Sequence, residues 1–536
     1  MDIVGNRTLS GIFSRFAVYH PDKTYLIFED FEGHSQQWSF AQCEERTNRT
    51  ARWLLAIGIK RGESFTFHAP NSPAFVVLAI AASRIGAIMV PTDYRATVNE
   101  VSYIVDHSES RLIITEPEQL NVVQAVASAV SRVQEVVLSL PVEDRYGETD
   151  GHPIFEREIE RQETTPPDVA TGADDVVHIL YTSGTTSRPK GVLLTNKALI
   201  YGAEVFVRAS GLRNDDRHLI TLPLFHAAAQ CHAFWPSLVC GAGIVVAPRF
   251  SPTRFLGLAI RHQCTMAALF SAPLRMLLAQ PHNEGWQAHR LRNVTFAIAL
   301  TEEQFDEWDR RFGAPLQHLW GMTETVGLPL MSPLYGKRHL PAMGRPVLGY
   351  EVKVIDNDGN ELHPGEVGQI IVSADPGRTV MKGYFKNPRA TEETIHDGWL
   401  YTGDNAFYDE EGFYYFVDRR KDMIKRGGEN IAPSEVEAMI KELNGVADVA
   451  VIGVPDPVYD EVPKAFVILQ PGVILSPKQI LDHCQNKLTA FKVPVSVTFS
   501  QEFPRTSVGK IQKHLLRRQE QEIGDRRKTY DLPPHT

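Results

Sequence analysis

Aliphatic and β-branched runs alternate with longer stretches of helical period from the N-terminus to about residue 400. That is the rhythm of strands interleaved with helices, and it predicts an α/β fold. Residues 175–181 form an apolar run that ends in a Thr/Ser/Gly cluster, which predicts a buried strand, and residues 191–194 predict a second short one. Residues 72–90 are almost wholly apolar and predict a helix entering a buried layer, with Pro73 suited to its first turn. Near residue 418 the pattern changes. A charged break, Asp418-Arg419-Arg420-Lys421-Asp422, follows an aromatic strand over 413–417. Beyond it come a helix at 435–443, strands at 446–454 and 465–469, and a helix at 476–488, enough for a compact α+β domain. No internal repeat of fixed period is present. From residue 519 the chain is polar and predicts a frayed tail.

Composition narrows this picture. The chain has 536 residues, of which 43% are hydrophobic and 22% charged, so a disordered chain is excluded. The net charge of −10 removes the broad basic field of a nucleic-acid-binding protein. Five scattered cysteines without CxxC spacing argue against a disulfide framework. The first residues lack the basic-then-apolar pattern of a signal peptide, and the apolar run at 74–90 is interrupted by Ser83 and Arg84, short of a membrane span. The expectation is a cytoplasmic protein.

The stretch with most chemistry is Tyr181-Thr182-Ser183-Gly184-Thr185-Thr186-Ser187-Arg188-Pro189-Lys190-Gly191. Hydroxyls, exposed backbone N–H groups and one Lys between two apolar strands suit a polyphosphate better than they suit a solvated turn. It is not a Walker A loop, because no Gly-Lys-Ser/Thr ending is present. Trp320-Gly321-Met322-Thr323-Glu324 offers a ring for a purine and, at a strand end, a hard carboxylate for Mg²⁺; taken alone it equally suits a capped helix start. Tyr401-Thr402-Gly403-Asp404 reads as a tight turn presenting a carboxylate to a ribose diol, or simply as an Asp-containing turn. Arg419 follows the next strand, and its planar fork suits ribose or phosphate oxygens or a solvated charge run. Pro504-Arg505-Thr506-Ser507-Val508-Gly509-Lys510 sets a Lys after a Gly turn, alone no more than a surface residue. Other chemistries lack their signatures. No Gly-x-Ser-x-Gly elbow exists, Gly241-Ala242-Gly243 lacks the third Gly of a dinucleotide fingerprint, and His226 and His232 are not spaced as zinc ligands, with Cys231 read as core.

In this order and spacing the motifs resemble the adenylate-forming superfamily: acyl-CoA synthetases, firefly luciferase and peptide synthetase adenylation domains. The resemblance runs from about residue 8 to about residue 516. Residues 182–191 resemble its phosphate loop, 320–324 its aromatic-Gly-x-Thr-Glu motif, 402–404 its ribose motif and 418–430 its hinge and Gly-Gly loop, with Lys510 at the catalytic lysine. Ser187-Arg188-Pro189-Lys190, Val417-Asp418-Arg419-Arg420 and Met423-Ile424-Lys425-Arg426-Gly427-Gly428-Glu429-Asn430 resemble most the crotonobetaine/carnitine–CoA ligases. Two departures stand out. Ser187 replaces the usual Gly, and Ala297-Ile298-Ala299-Leu300-Thr301 replaces a Gly-Gly-Ala-Pro-like run at the acyl site, which should reshape the acyl pocket.

The resemblance implies a large N-terminal α/β domain with a distorted barrel (1–418), a small mobile α+β lid (419–518) and a polar tail (519–536). It implies an ATP-dependent acyl-CoA ligase that converts a small carboxylic acid to an acyl-adenylate and then a CoA thioester. Thr182, Ser183, Gly184, Thr185, Thr186, Ser187 and Lys190 would hold phosphates, and Thr185 with Glu324 would place Mg²⁺. Trp320, Gly321, Met322, Thr323, Asp404 and Arg419 would hold the nucleoside, with Lys421 at the hinge and Lys425 near the nucleotide. Lys510 would bridge carboxylate and α-phosphate. Phe225, His226, Ala297, Ile298, Ala299 and Leu300 would line the acyl group, with His226 orienting or gating it, and Gly427 and Gly428 would admit the pantetheine arm of CoA. The alternatives are another acceptor (a carrier-protein thiol, an amine or oxygen), thioesterification alone, or a silent nucleotide sensor. A short or medium-chain, betaine-like acid is the expected substrate.

Overall fold

A computed structural model describes residues 3–141, 151–182, 189–297, 300–336, 339, 341–419, 422–426, 429–456, 459–488, 490–506 and 509–530. The chain divides into two compact units: the described residues up to Val352 with Val372–Leu400, and Lys353–Ile371 with Tyr401–Thr536. The chain passes between them inside three strands, Val352–Ile355, Gly368–Ser373 and Trp399–Tyr408.

Among the described residues the first unit carries two sheets. The larger has a parallel core in the order Leu316–Trp320, Asn293–Ala297, Met266–Phe270, Arg217–Ile220, Gly243–Val246, Thr24–Glu29, flanked by antiparallel edge strands. The other sets Val176–Thr182, Ile88–Pro91, Ser64–His68, Leu112–Thr115 and Glu135–Leu138 in parallel, with Lys190–Thr195 added antiparallel at one side. Parallel strands buried on both faces read as unbroken apolar runs, which is why 175–181 was legible.

The helix Pro73–Ile85 is buried at every position, as an all-round apolar helix must be. Its one charge, Arg84, is met by Glu44 at 2.8 Å and by Asn48 and Ser14. The expected helix over 72–90 is therefore too long. Gly86 ends it in the left-handed conformation (φ 68°), where a Cβ would lie 2.7 Å from the Arg61 side chain, and Ile88–Pro91 turns into a strand.

The second unit begins with antiparallel strands, among them Trp399–Tyr408 paired with Tyr414–Arg419. There follows a sheet of Ile424–Arg426, Glu429–Ile431, Val446–Asp456, Asp460–Leu469 and Ser496–Phe499, with helices Pro433–Lys441, Pro477–Lys487 and Lys513–Tyr530. Its core is Ile424, Val436, Ile440, Val449, Val451, Ala465, Val467 and Ile480. Ser476 caps the second helix through a capping box with Gln479. The stretch read as a frayed tail continues the last helix to Tyr530. No helix among the described residues is long and apolar enough to cross a membrane.

Candidate active site

Strands Val176–Thr182 and Lys190–Thr195 pair antiparallel, with Thr182 opposite Lys190 and its hydroxyl donating to the Lys190 carbonyl at 3.5 Å. This fixes both ends of the stretch expected to hold phosphates; Ser183, Gly184, Thr185, Thr186 and Ser187 lie outside the described residues. The Tyr103 hydroxyl donates to the Pro189 carbonyl at 3.1 Å and holds the returning end. The Lys190 ammonium stands over the Tyr384 ring, 4.6 Å from its centroid. The Tyr384 hydroxyl donates to Glu324 Oε1 at 2.8 Å. A cation, an aromatic ring and a buried carboxylate from three distant parts of the sequence are thus in contact. Tyr384 is held there by the short strand Gly383–Tyr384, which pairs with Lys190–Thr195. Beside Glu324, and buried, the Tyr384 phenol is raised far above its ordinary value, first by loss of solvent and then by the carboxylate, so it stays a donor.

Sequence reasoning missed Tyr384 and Tyr103. Their only signals were a Gly-Tyr pair and a tyrosine on a helical face, neither of which says what the residue meets across the fold.

Trp320 ends the strand Leu316–Trp320 and is 8% exposed, and Glu324, 6% exposed, sits in the turn beyond. The segment is a strand followed by a turn rather than a capped helix start. Thr325 Oγ1 accepts from Met322 N–H at 3.0 Å and lies 2.9 Å from both the Met322 and Gly327 carbonyls, and the Glu324 carbonyl accepts from Met381 N–H at 2.8 Å. Gly321 is required because a Cβ there would stand 2.7 Å from the Gly327 carbonyl oxygen. Gly321, Met322 and Thr323 remain wholly or partly exposed between buried anchors.

The segment 222–226 leaves the strand Arg217–Ile220 and is held by buried amides. Asn71 donates to the Leu222 and Ala247 carbonyls at 2.9 and 3.1 Å and accepts from Leu224 N–H at 2.7 Å. Gln230 donates to the Leu224 carbonyl at 2.8 Å and accepts from Trp235 Nε1 at 3.2 Å. On this support the rings of Phe225 and His226 lie 4.6 Å apart, and Phe225 meets Tyr94 edge-on at 6.1 Å. Ala297 ends its strand half-buried, Ile298 and Ala299 lie outside the described residues, and Leu300 is buried just before Thr301 caps the next helix.

In the second unit Asp404 and Arg419 are cross-strand partners in the pairing of Trp399–Tyr408 with Tyr414–Arg419. Thr402-Gly403-Asp404 is therefore not the expected tight turn: it runs inside a ten-residue strand, kinked at Gly403 (φ 71°), and Arg419 ends its own strand. Asp404, 8% exposed, donates its N–H to Thr402 Oγ1 at 3.1 Å, and that hydroxyl donates to the Ile370 carbonyl at 2.7 Å. Lys425 is exposed on the strand Ile424–Arg426, opposite Asn430, its N–H donating to Glu461 at 3.0 Å. Lys421, Gly427 and Gly428 lie outside the described residues.

Lys510 is exposed on a turn closed by Thr506 N–H to the Lys510 carbonyl at 2.8 Å and Lys510 N–H to Thr506 Oγ1 at 3.2 Å. Arg505 braces the turn, donating to the Gly509 carbonyl at 3.0 Å and pairing with Asp448. Just beyond, Lys513 bonds Glu437 at 2.8 Å. Burial alone would lower the Lys513 ammonium, but attraction from Glu437 and Asp418 outweighs it and holds the charge. The first unit thus gathers Thr182, Lys190 and Glu324, and the second places Asp404 opposite Arg419, with Lys510 on its own turn.

Strands paired about a Ser/Thr-rich stretch, a lysine–aromatic–carboxylate contact and an Asp–Arg strand pair on α/β layers are the arrangement expected of an enzyme that uses a nucleotide. Residues 13–385 match the AMP-binding enzyme family and residues 435–510 match the AMP-binding enzyme C-terminal domain, so the chain belongs to the AMP-binding enzyme family. It is 37% identical over 527 residues to the crotonobetaine/carnitine–CoA ligase of Proteus mirabilis (strain HI4320), and 35% identical over 525 residues to that of Salmonella agona (strain SL483); each covers 96% of this chain and all of the relative. Among solved structures it is similar to the anthranilate CoA ligase AuaEII in complex with anthranoyl-AMP, with TM-score 0.87 and 27% identity over 97% of this chain and 98% of that one. It is likewise similar to ATP-bound MatB from Rhodopseudomonas palustris, with TM-score 0.86 and 28% identity over 96% of this chain and all of that one.

Proposed function

We propose that this protein is an ATP-dependent acyl-CoA ligase acting on a short or medium-chain, betaine-like carboxylic acid in the cytoplasm. The observation that carries the reading is the contact of Lys190, Tyr384 and Glu324 at the base of the phosphate-loop hairpin. The full-length similarity to CoA ligases supports the choice of acceptor.

In the first half-reaction a carboxylate oxygen attacks the α-phosphorus of ATP. The bond to the bridging oxygen breaks, and pyrophosphate leaves with the electron pair. Two anions must meet, so cations and fixed dipoles set the rate. Lys190 and the hydroxyls of the loop grip the β- and γ-phosphates. Trp320 flanks adenine, and Asp404 with Arg419 takes the ribose hydroxyls. Lys510 neutralises the charge that grows between carboxylate and α-phosphate. In the second half-reaction the CoA sulfur, its proton lost to solvent, attacks the acyl carbon, and AMP leaves with its oxygen. His226 orients the acyl group, and Gly427 and Gly428 leave room for the pantetheine arm.

Mg²⁺ fits this site. Glu324 is a buried hard-oxygen donor held in place by Tyr384, and Mg²⁺ is commonly bound by one or two carboxylates with substrate phosphates. Glu324, with Thr185, would hold it, and it would supply charge neutralisation to the phosphates.

The test is acid-dependent exchange of labelled pyrophosphate into ATP over a panel of carboxylic acids, followed by detection of thioester on addition of CoA. Exchange with no acid, or exchange without any thioester, removes the ligase reading.

A further inference from the structure

The helix Val98–His107 lies outside every motif of the sequence, yet it holds the chain on both sides of Lys190. Tyr103 and His107 are one helical turn apart, so their rings fall on one face, stacked with centroids 5.4 Å apart. Tyr103 holds Pro189, the residue before Lys190, by its carbonyl. His107 reaches the residue after Lys190 by way of Tyr181, whose hydroxyl lies 2.7 Å from the imidazole Nδ1. The Tyr181 ring in turn lies against its cross-strand partner Gly191, where a Cβ would stand 3.2 Å from the ring and 2.8 Å from Ile179 Cγ2. Only a residue without a side chain leaves the ring that place.

The same imidazole meets the segment that carries Tyr384. The Gly191 carbonyl accepts from Phe385 N–H at 2.7 Å, and the Phe385 ring meets His107 edge-on at 5.7 Å. The next residue, Lys386, donates to the His107 carbonyl at 3.1 Å and pairs with Glu109 at 2.9 Å. Lys386 and Glu109 both hold the left-handed backbone conformation (φ 53° and 62°), which is unfavourable for a residue other than glycine and persists only where surrounding contacts enforce it. Contacts therefore run in a closed circuit from His107 through Tyr181, Gly191 and Phe385 back to His107, with Lys190 and Tyr384 next to it in the chain. Burial and the Lys386 charge pull the imidazole below its ordinary value, and burial raises the Tyr181 phenol far above its own, so at neutral pH both are uncharged.

We propose that His107 is a positioning residue for adenylation: through its hydrogen bond to Tyr181 it sets Lys190 over the Tyr384 ring, and with it the contact of Tyr384 with Glu324. The proposal rests on the ligase reading and adds to it a residue that acts on the site only through Tyr181 and the segment after Tyr384. Lys190 is the cation of that constellation, and a misplacement of about 1 Å caused by a change away from the chemistry can cost up to about a hundredfold in rate.

The experiment uses the full-length protein and the acid that best supports pyrophosphate exchange. It measures kcat/KM for ATP in exchange, beside CoA-dependent AMP release from supplied acyl-adenylate. His107→Phe keeps a ring between Tyr103 and Phe385 and loses the hydrogen bond. Tyr181→Phe loses the same bond from the other side, and His107→Asn sets an amide near the place of Nδ1. The expected result is a fall in exchange of about tenfold or more in each Phe variant, with no further fall when the two are combined. His107→Asn should regain about threefold or more over His107→Phe, and release from supplied adenylate should stay within about threefold of unchanged protein throughout. Unchanged exchange in both Phe variants, an equal fall in both steps, or losses that add in the combined variant overturns the inference and leaves the ligase reading intact. Where His107→Phe does not fold, Tyr181→Phe decides by the same comparison of the two steps. No exchange with any acid in unchanged protein removes the ligase reading itself and the inference with it.

Discussion

Replacing Tyr384 by Phe removes one oxygen and leaves the ring. The lost atom donates to Glu324 Oε1 at 2.8 Å, while the ring that carries Lys190 at 4.6 Å stays. A hydrogen bond to a charged group contributes about 1.5–3 kcal/mol, and each 1.36 kcal/mol is tenfold in rate, so adenylation should fall roughly 10- to 150-fold. The loss should sit in the first half-reaction, because only there are the β- and γ-phosphates in place. Thioester formation from a supplied acyl-adenylate should change less than about threefold, within the error of a contact not used in that step. Tyr384→Leu removes the ring as well, and should lose a further ~0.5–2 kcal/mol as Lys190 gives up its aromatic contact. The assay is paired: pyrophosphate exchange at varied ATP, and CoA-dependent AMP release from synthetic acyl-adenylate. Unchanged exchange in a folded Tyr384→Phe protein, or an equal fall in both steps, would refute the idea that this hydroxyl sets Glu324 for nucleotide chemistry.

Lys510→Ala should lower adenylation by roughly a hundred- to a thousandfold, from loss of about 3–4 kcal/mol of transition-state stabilisation, and largely spare the second step; the same paired assay checks it. Asp404→Ala should weaken ATP binding by about 1–3 kcal/mol with the fold intact, measured by calorimetry. Trp320→Ala should behave differently: at 8% exposed in a strand, it should also destabilise the protein by about 3–5 kcal/mol, read by urea unfolding. Asp216 carries the pH prediction. Burial alone would raise its carboxyl, but bonds from Arg292, Thr265 and the Arg213 N–H outweigh this and hold it below the usual range. Its stabilisation is therefore present above its unfolded value of about 3.9 and lost as pH falls through the lower folded value. The stability gap between unchanged protein and Asp216→Asn should be about 3–5 kcal/mol at pH 7 and shrink below about pH 4, as unfolding curves at both pH values would show.

The elements most legible in the sequence were those whose signal is local. Pro73 marks a helix start, and the apolar run ending at Thr182 a strand buried on both faces. Errors arose where a partner far along the chain decides. Thr402-Gly403-Asp404 has the composition of a turn, but pairing with Tyr414–Arg419 keeps it extended and sets Asp404 opposite Arg419. Residues 88–90 continue the apolar pattern of the helix before them, and only Gly86 and a place beside Ser64–His68 make them a strand. The same limit hid Tyr384 and Asn71. Neither lies in a motif, and each acts through a partner well over a hundred residues away or reached only by sheet pairing.

The central claim is that one chain joins an acid to CoA through an adenylate. Its most direct test is a product balance on the purified full-length protein with ATP, Mg²⁺, CoA and the acid that best supports pyrophosphate exchange. The account predicts AMP, pyrophosphate and acyl-CoA in equal amounts, with acyl-adenylate accumulating when CoA is withheld and clearing when it is added. ADP and phosphate as products, or AMP formed in the presence of CoA without thioester, would contradict it.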